Sequence, residues 1–430
     1  MRDNPAVPAK VLFVENSIGL GGSTMSLCTL LNHLDRRVFE PCIAVSRPEQ
    51  ERYLHRNLRQ EAETALISPR ECLKRARLGS VARAAAGVLG EGSHRACLRL
   101  LGLLDTPFRT VPYALRLFRF ARNQGVSLIH QNNGFDTGAA LASALLGTPL
   151  VTYQRGDEWD SPLVRRLARR VDQYIANSRA TGASLVALGI PSEKIQVIYP
   201  PLDLEVFRPG EPSPSTRADL SIPRTAPCFG IIGVLVPWKG HRVFLAAARR
   251  VLARHPDAWA LVVGAAPTGE EGYEAELRAL ARELGIAHRV VFTGFRDDVG
   301  AILRALDVVV HASVEPEPFG RVIVEAMASK RAVVAARAGG PTEIIVDGEN
   351  GFLTEPGDDR ALAVGVIRLL EDPALAGRIA EQGYRDATGL FAAPRHAALV
   401  QAVYAAAIGI ASPDVRAIGR PEAAPRVSRN

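Results

Sequence analysis

The chain has 430 residues, of which 47% are hydrophobic and 23% charged, with a net charge of +7 and five cysteines. That length exceeds what one hydrophobic core usually serves, so two domains are expected, and the composition excludes a disordered or fibrous protein. No run approaches the roughly 18 apolar residues of a membrane-spanning helix, and the apolar stretch Val11–Val14, broken by Glu15, is too short for a signal peptide, so the protein is expected in the cytoplasm.

Strand Val11–Val14 runs into a glycine-rich loop containing Gly19, Gly21 and Gly22, and a helix from about Met25 to Leu34 follows. This order lets backbone amides approach a phosphate or sugar, although a plain tight turn fits as well. The loop carries neither a Gly-x-Gly-x-x-Gly fingerprint nor a Walker lysine. A second strand is expected at Cys42–Val45. Between Arg70 and Arg122 eleven basic residues face three acids, interleaved with leucines and phenylalanines. Basic amphipathic helices of this kind suit an anionic membrane surface, and equally a pair of helices whose arginines face water.

Strand Ser127–His130 ends in Gln131, Asn132, Asn133 and Gly134, and strand Leu150–Tyr153 ends in Arg155, Gly156, Asp157 and Glu158. Open α/β sheets place ligands at such polar loops. A strand at Tyr174–Ser178, a helix and a strand at Ile195–Tyr199 complete this half. The stretch 207–227 is rich in proline and serine and reads as a linker. A second alternation of strands and helices begins at Phe229–Gly233 and continues through a loop to Lys239, and alternation of this kind predicts a parallel sheet with helices on both faces. The ligand cleft would lie between the two sheets. Helices follow Glu355, the last at Ala392–Ile408, and the tail 411–430 reads as disordered.

The most informative stretch is Asp307–Gly340. Glu317 precedes a proline, which pushes it toward extended backbone, so it belongs to a loop. The helix after Gly320 is apolar almost all round and should be buried, with Glu325 its one acid. A buried carboxylate without a partner is costly, so Glu325 should bond something specific. Amides of Phe319, Gly320 and Arg321 at the helix start offer a place for a phosphate. Both acids are also compatible with purely structural roles. The five cysteines are scattered without a Cys-x-x-Cys pair and the histidines lack metal-ligand spacing, so neither a disulfide framework nor a metal is expected.

The residues from Val11 to about Ile408 resemble the retaining glycosyltransferases of family four, with the GT-B fold. The pattern that carries the resemblance is Glu317-Pro-Phe-Gly-Arg-Val-Ile-Val-Glu325, two glutamates separated by seven residues. Around it stand Val308–Val310, Ala326–Ala328, Val333–Ala335, Gly339–Gly340, Glu343, Asp347–Gly348 and Asn350–Leu353. The resemblance implies two Rossmann-like doubly wound parallel-sheet domains facing each other across a cleft. Their expected bounds are 1–206 for an acceptor domain containing the basic segment 70–122, 207–227 for the linker, and 228–390 for a nucleotide-sugar domain. A C-terminal helix at 391–410 would pack back on the first domain.

It further implies that Glu325 holds the donor ribose, that Glu317 bonds the donor sugar, and that Lys239 pairs with the diphosphate. Gly21, Gly22, Gly233, Phe319, Gly320 and Arg321 would complete the donor contacts. The partners would be a nucleotide sugar and a glycan or lipid-linked acceptor, with no nucleic acid, no cofactor and no metal, in cell-surface polysaccharide or glycolipid synthesis.

Two departures stand out. Val234 occupies the place of a usual arginine, and Arg155 that of a usual histidine. Arg155 is therefore a candidate for the catalytic set beside Glu317 and Lys239, and Asn132, Asn133, Asp157 and Glu158 are candidates for the acceptor. A nucleotide-sugar epimerase or hydrolase on the same fold, or a binding protein without turnover, fits the same residues.

Overall fold

A computed structural model describes residues 7–17, 21–69, 109–156, 162–211, 214–267, 270 and 272–411. They form two compact units. Of the described residues, the N-terminal unit takes most of the chain up to Ile198 together with 397–411, and the C-terminal unit takes Tyr199–His396 with the short piece Asn177–Ala180.

Among the described residues the N-terminal unit contains seven strands: β1 (Ala9–Glu15), β2 (Phe39–Val45), β3 (Glu63–Leu66), β4 (Leu128–Gln131), β5 (Leu150–Gln154), β6 (Gln173–Ala176) and β7 (Ile195–Val197), in the order β3-β2-β1-β4-β5-β6-β7. The C-terminal unit contains six: β8 (Cys228–Ile232), β9 (Trp259–Val263), β10 (Val290–Gly294), β11 (Val308–His311), β12 (Ala332–Ala336) and β13 (Phe352–Thr354), in the order β10-β9-β8-β11-β12-β13. Every pairing between these strands is parallel, and β1, β2, β8, β11 and β12 read as nearly continuous apolar runs, as strands covered on both faces must. Both orders reverse direction once, between β1 and β4 and between β8 and β11. At such a switch point neighbouring loops diverge and leave a crevice at the carboxyl ends of the strands.

The C-terminal helix Ala393–Ile408 contributes Ala397, Val400, Val403, Tyr404 and Ala405 to the core around Phe13, Phe39 and Tyr153. The Tyr404 hydroxyl lies 3.0 Å from His130 Nδ1 within that core.

Several expectations are corrected. The stretch 207–227 is not a free linker. Phe207, Leu220, Ile222 and Ala226 are buried in the core of the C-terminal unit, and Pro214–Asp219 is a helix. Arg217, 5% exposed, fixes it there by donating to the carbonyls of Ala226 and Ala305, each at 2.8 Å. The short strands β3 and β13 and the helix Pro48–Asn57 were not anticipated. The helix of the glycine-rich loop starts at Gly22 rather than Met25.

Of the basic segment, 70–108 lies outside the described residues, as do Asp157, Glu158 and the tail 412–430. Residues 109–124 are helical, and this helix buries Tyr113, Ala114, Leu117 and Ala121 in the N-terminal core, so its apolar face is committed inward. Arg116 turns in to the Ser68 carbonyl, whereas Arg119 and Arg122 are exposed.

Candidate functional site

In the C-terminal unit the candidate residues gather at the β8/β11 switch point. Lys239 ends a one-turn 3₁₀ helix, Pro237–Lys239, and is followed by Gly240 at φ 74°. Gly240 lies against the Ala312 carbonyl, and the Val314 amide donates to the Trp238 carbonyl at 2.8 Å, so the lysine loop is laid on the segment following β11. Trp238 holds the lysine ammonium 4.2 Å from its ring centroid.

Glu317 sits outside the helix, as its position before a proline requires. Its backbone is clamped by the Gly339–Gly340 turn, with the Gly340 amide donating to the Glu317 carbonyl at 2.7 Å. A β-carbon on Gly339 would fall 2.2 Å from the Glu317 carbonyl oxygen, and one on Gly340 2.3 Å from that of Phe319. Glycine is required at both places by this close approach.

Glu317 is buried, its side chain 11% exposed, and Oε2 receives three donors: Lys239 Nζ at 2.5 Å, Ser313 Oγ at 3.1 Å and His311 Nε2 at 3.2 Å. Burial works against ionisation of this carboxyl, but the His311 hydrogen bond and the Lys239 charge outweigh it and bring the pKa from 4.5 down to about 2. The group is therefore a carboxylate at neutral pH. Neither His311 nor Ser313 was singled out by sequence.

The helix Arg321–Ala328 begins after Gly320, which caps it at φ 96°, and buries Ile323–Ala328. Phe319 packs its ring against Tyr199 and Phe391 at 5.8 and 5.7 Å, so its side chain belongs to the core and only its backbone is offered to a ligand. Glu325 is paired with Arg321, which donates from Nε at 3.2 Å and from Nη2 at 3.0 Å, the kind of contact that a structural role also gives. Glu343 accepts the amides of Arg179 and Ala180 and the Tyr199 hydroxyl at 2.8, 2.9 and 3.1 Å. Gly233 continues β8 and touches Gly264, where a β-carbon would lie 1.9 Å from the Gly233 carbonyl oxygen. Val234, 51% exposed, presents an apolar surface after Gly233 and supplies no cation there.

In the N-terminal unit the β1/β4 switch point is organised by Glu15, which is fully buried at the end of β1. Its carboxylate accepts the Ser17 amide at 3.1 Å and the Ser23 hydroxyl at 3.2 Å, so it ties down both ends of the loop leading to Gly21 and Gly22; Asn132 also donates to it. Arg155 stacks over Tyr153 at 3.9 Å and donates to the Asn132 carbonyl at 2.7 Å and Oδ1 at 3.1 Å. Glu15, Asn132, Arg155 and the glycine loop thus form one network, with Asn133 half-buried beside it. In the sequence Glu15 shows only as the end of a strand. Among the described residues no group of three or more His, Cys, Asp or Glu side chains has the arrangement to hold a metal ion.

Chemically, the C-terminal crevice offers a carboxylate that can accept hydroxyl groups, an ammonium that can meet a phosphate, and the backbone amides of a helix start. Residues 213–386 match the family of glycosyl transferases group 1, and residues 20–206 match glycosyltransferase family 4. The chain is 33% identical over 246 residues to the lipopolysaccharide core biosynthesis mannosyltransferase LpcC of Rhizobium leguminosarum bv. viciae, covering 56% of this chain and 67% of that one. It is 35% identical over 215 residues to a D-inositol 3-phosphate glycosyltransferase of Acidothermus cellulolyticus, covering 48% of this chain and 47% of the relative. Several other curated relatives are likewise matched over about half their length.

Among solved structures, Anabaena Alr3699/HepE in complex with UDP and glucose superposes with a TM-score of 0.73 at 28% identity, over 91% of this chain and 98% of that one. Sucrose-phosphate synthase of Thermosynechococcus elongatus, at 19% identity and a TM-score of 0.71 over 93% of this chain and 99% of that one, shares the fold. With both halves matched to such families and the acidic pair of the pattern brought to one switch point, the chain belongs to the glycosyl transferases group 1 family.

Proposed function

We propose that the protein transfers a sugar from a nucleoside diphosphate sugar to an acceptor hydroxyl, with retention at the anomeric carbon. The observation that carries this reading is the meeting of Lys239 and Glu317 at the β8/β11 switch point beside the start of the helix Arg321–Ala328. UDP and glucose in the complex of Alr3699/HepE support a nucleotide sugar as donor. The acceptor oxygen bonds to the anomeric carbon as the bond from that carbon to the diphosphate oxygen breaks. The electron pair leaves with the nucleoside diphosphate, and the hydroxyl proton passes to that leaving group. Lys239 and the helix amides neutralise the charge that grows there, so the step needs no metal. Glu317 accepts sugar hydroxyls and Glu325 the ribose.

The lipopolysaccharide core enzyme among the relatives supports a cell-surface glycan or glycolipid as acceptor. A protein acting there would work at the inner face of the membrane, which exposed Arg119 and Arg122 suit.

The test is calorimetric binding of UDP, GDP and ADP and their sugars, followed by turnover with glycan acceptors and assignment of the product anomer by NMR. Binding of one nucleotide family and acceptor-dependent transfer with retention is the expected result. Release of free sugar regardless of acceptor would instead mark a hydrolase, and binding without turnover across the panel a binding protein.

A further inference from the structure

We propose that His311, together with Ser313, is a positioning residue for Glu317, holding one carboxylate oxygen so that the other stays turned to the donor sugar when Lys239 leaves for the diphosphate. This rests on the transfer reading above and assigns work to residues outside the two-glutamate pattern.

All three donors to the Glu317 side chain end on the same oxygen, Oε2, and no described hydrogen bond ends on Oε1. Lys239 is the one donor of the three that also has to serve a phosphate. If it moves, a carboxylate on a side chain only 11% exposed loses its cation, and an unheld buried carboxylate turns toward water or takes up a proton. His311 and Ser313 cannot leave with the lysine. His311 is the last residue of β11, the strand hydrogen-bonded between β8 and β12, and its imidazole is 4% exposed. Ser313 is 1% exposed and stands 3.2 Å from the same imidazole nitrogen.

Oε2 of an ionised carboxylate only accepts, so Nε2 carries a proton and donates it, and Nδ1 is buried without a hydrogen-bond partner. An unpartnered buried Nδ1 is a standing cost, and a plain core position between Val310 and Ala312 would be better filled by an aliphatic side chain. The histidine is accounted for by what its other nitrogen holds.

The test compares His311→Leu, His311→Gln and Ser313→Ala. Each is measured for kcat and KM with the donor that the wild type uses, and for calorimetric affinity toward the nucleoside diphosphate alone. Loss of the Nε2 donor should lower kcat about 10- to 100-fold, the worth of one hydrogen bond to a charged group, and leave nucleoside diphosphate affinity within about twofold. His311→Gln, whose amide can still donate to Oε2, should recover most of the loss, and Ser313→Ala should lower kcat less than His311→Leu. If His311→Leu does not fold, His311→Asn, which is too short to reach, takes its place.

Wild-type kcat in the Leu or Asn variant overturns the proposal. So does a nucleotide affinity that falls in step with kcat, or a Gln variant no better than Leu. A wild type that transfers no sugar overturns the functional reading itself and this proposal with it, whereas an active wild type with an equally active Leu variant overturns the positioning role alone.

Discussion

Gly240 lies so close to Ala312 that a β-carbon on it would fall 1.8 Å from the Ala312 carbonyl oxygen. This contact joins the loop carrying Lys239 to the segment carrying Ser313 and Glu317, and it combines a steric demand with a left-handed backbone at φ 74°. Gly240→Ala should therefore cost about 2–4 kcal/mol of stability, as expected of strain at a special backbone position plus a backbone clash. Nucleotide affinity should fall as well, because the lysine loop is displaced. Denaturant titration with parallel calorimetry checks both, and a variant unchanged in either has no such coupling.

The two glutamates should separate by function. Glu325→Ala removes the Arg321 partner at the helix start and should weaken nucleotide binding, whereas Glu317→Ala should lower turnover by about 100-fold or more while nucleotide binding changes less. Calorimetry with the nucleoside diphosphate and steady-state kinetics decide this. Equal and small effects at both positions would undo the assignment.

His241, fully buried at the start of the helix His241–Arg254, has its pKa pushed from 6.5 to about 4, by burial first and then by the charge of Lys239. Its folded value lies below the unfolded one, so between these values the unfolded chain binds a proton that the folded chain refuses. Stability should fall as pH drops from 6.5 to about 4, by on the order of 3 kcal/mol in all. His241→Phe should flatten that part of the melting-temperature profile. A variant with the wild-type slope would place the acid sensitivity elsewhere.

Glu317 contributes in a separate window and with the opposite ionisation. Its folded pKa of about 2 lies below the ordinary 4.5, so its ion pair contributes fully above 4.5 and is lost as pH falls toward 2. Glu317→Gln should be less stable than the wild type at pH 7 by up to about 3 kcal/mol. The difference should narrow between pH 4.5 and 3, as followed by denaturant midpoints. A gap independent of pH would mean that the charge adds nothing.

Glu317 and Glu325 stand out in the sequence because their settings are written by neighbours in the chain, a proline after one acid and an apolar helix around the other, whereas Lys239 is pointed to only by the family resemblance. His311 and Ser313 do not stand out. A histidine closing the run Val308–Val310 looks like a core strand residue, and its meaning comes from a carboxylate folded back onto it. Glu15 escaped for the same reason: its partners Ser17, Ser23 and Asn132 come from two switch-point loops that only the strand order β1-β4 brings together. The alternation of strands and helices disclosed both parallel sheets, while β3 and β13, with four and three residues, are too short for periodicity to register. At 207–227 prolines and serines outweighed by count the few residues, Phe207, Leu220 and Ile222, that decide its burial.

The helix Ala393–Ile408 has a consequence for how the molecule is made. Tyr404 is among the largest fully buried side chains and bonds His130, and with Val400 and Val403 it fills a core otherwise built by the first half of the chain. A ribosome delivers that helix after every strand of both sheets. The unit synthesised first is thus closed last, and until that helix arrives it presents an open apolar face around Phe13 and Phe39 to whatever guards nascent chains in the cell.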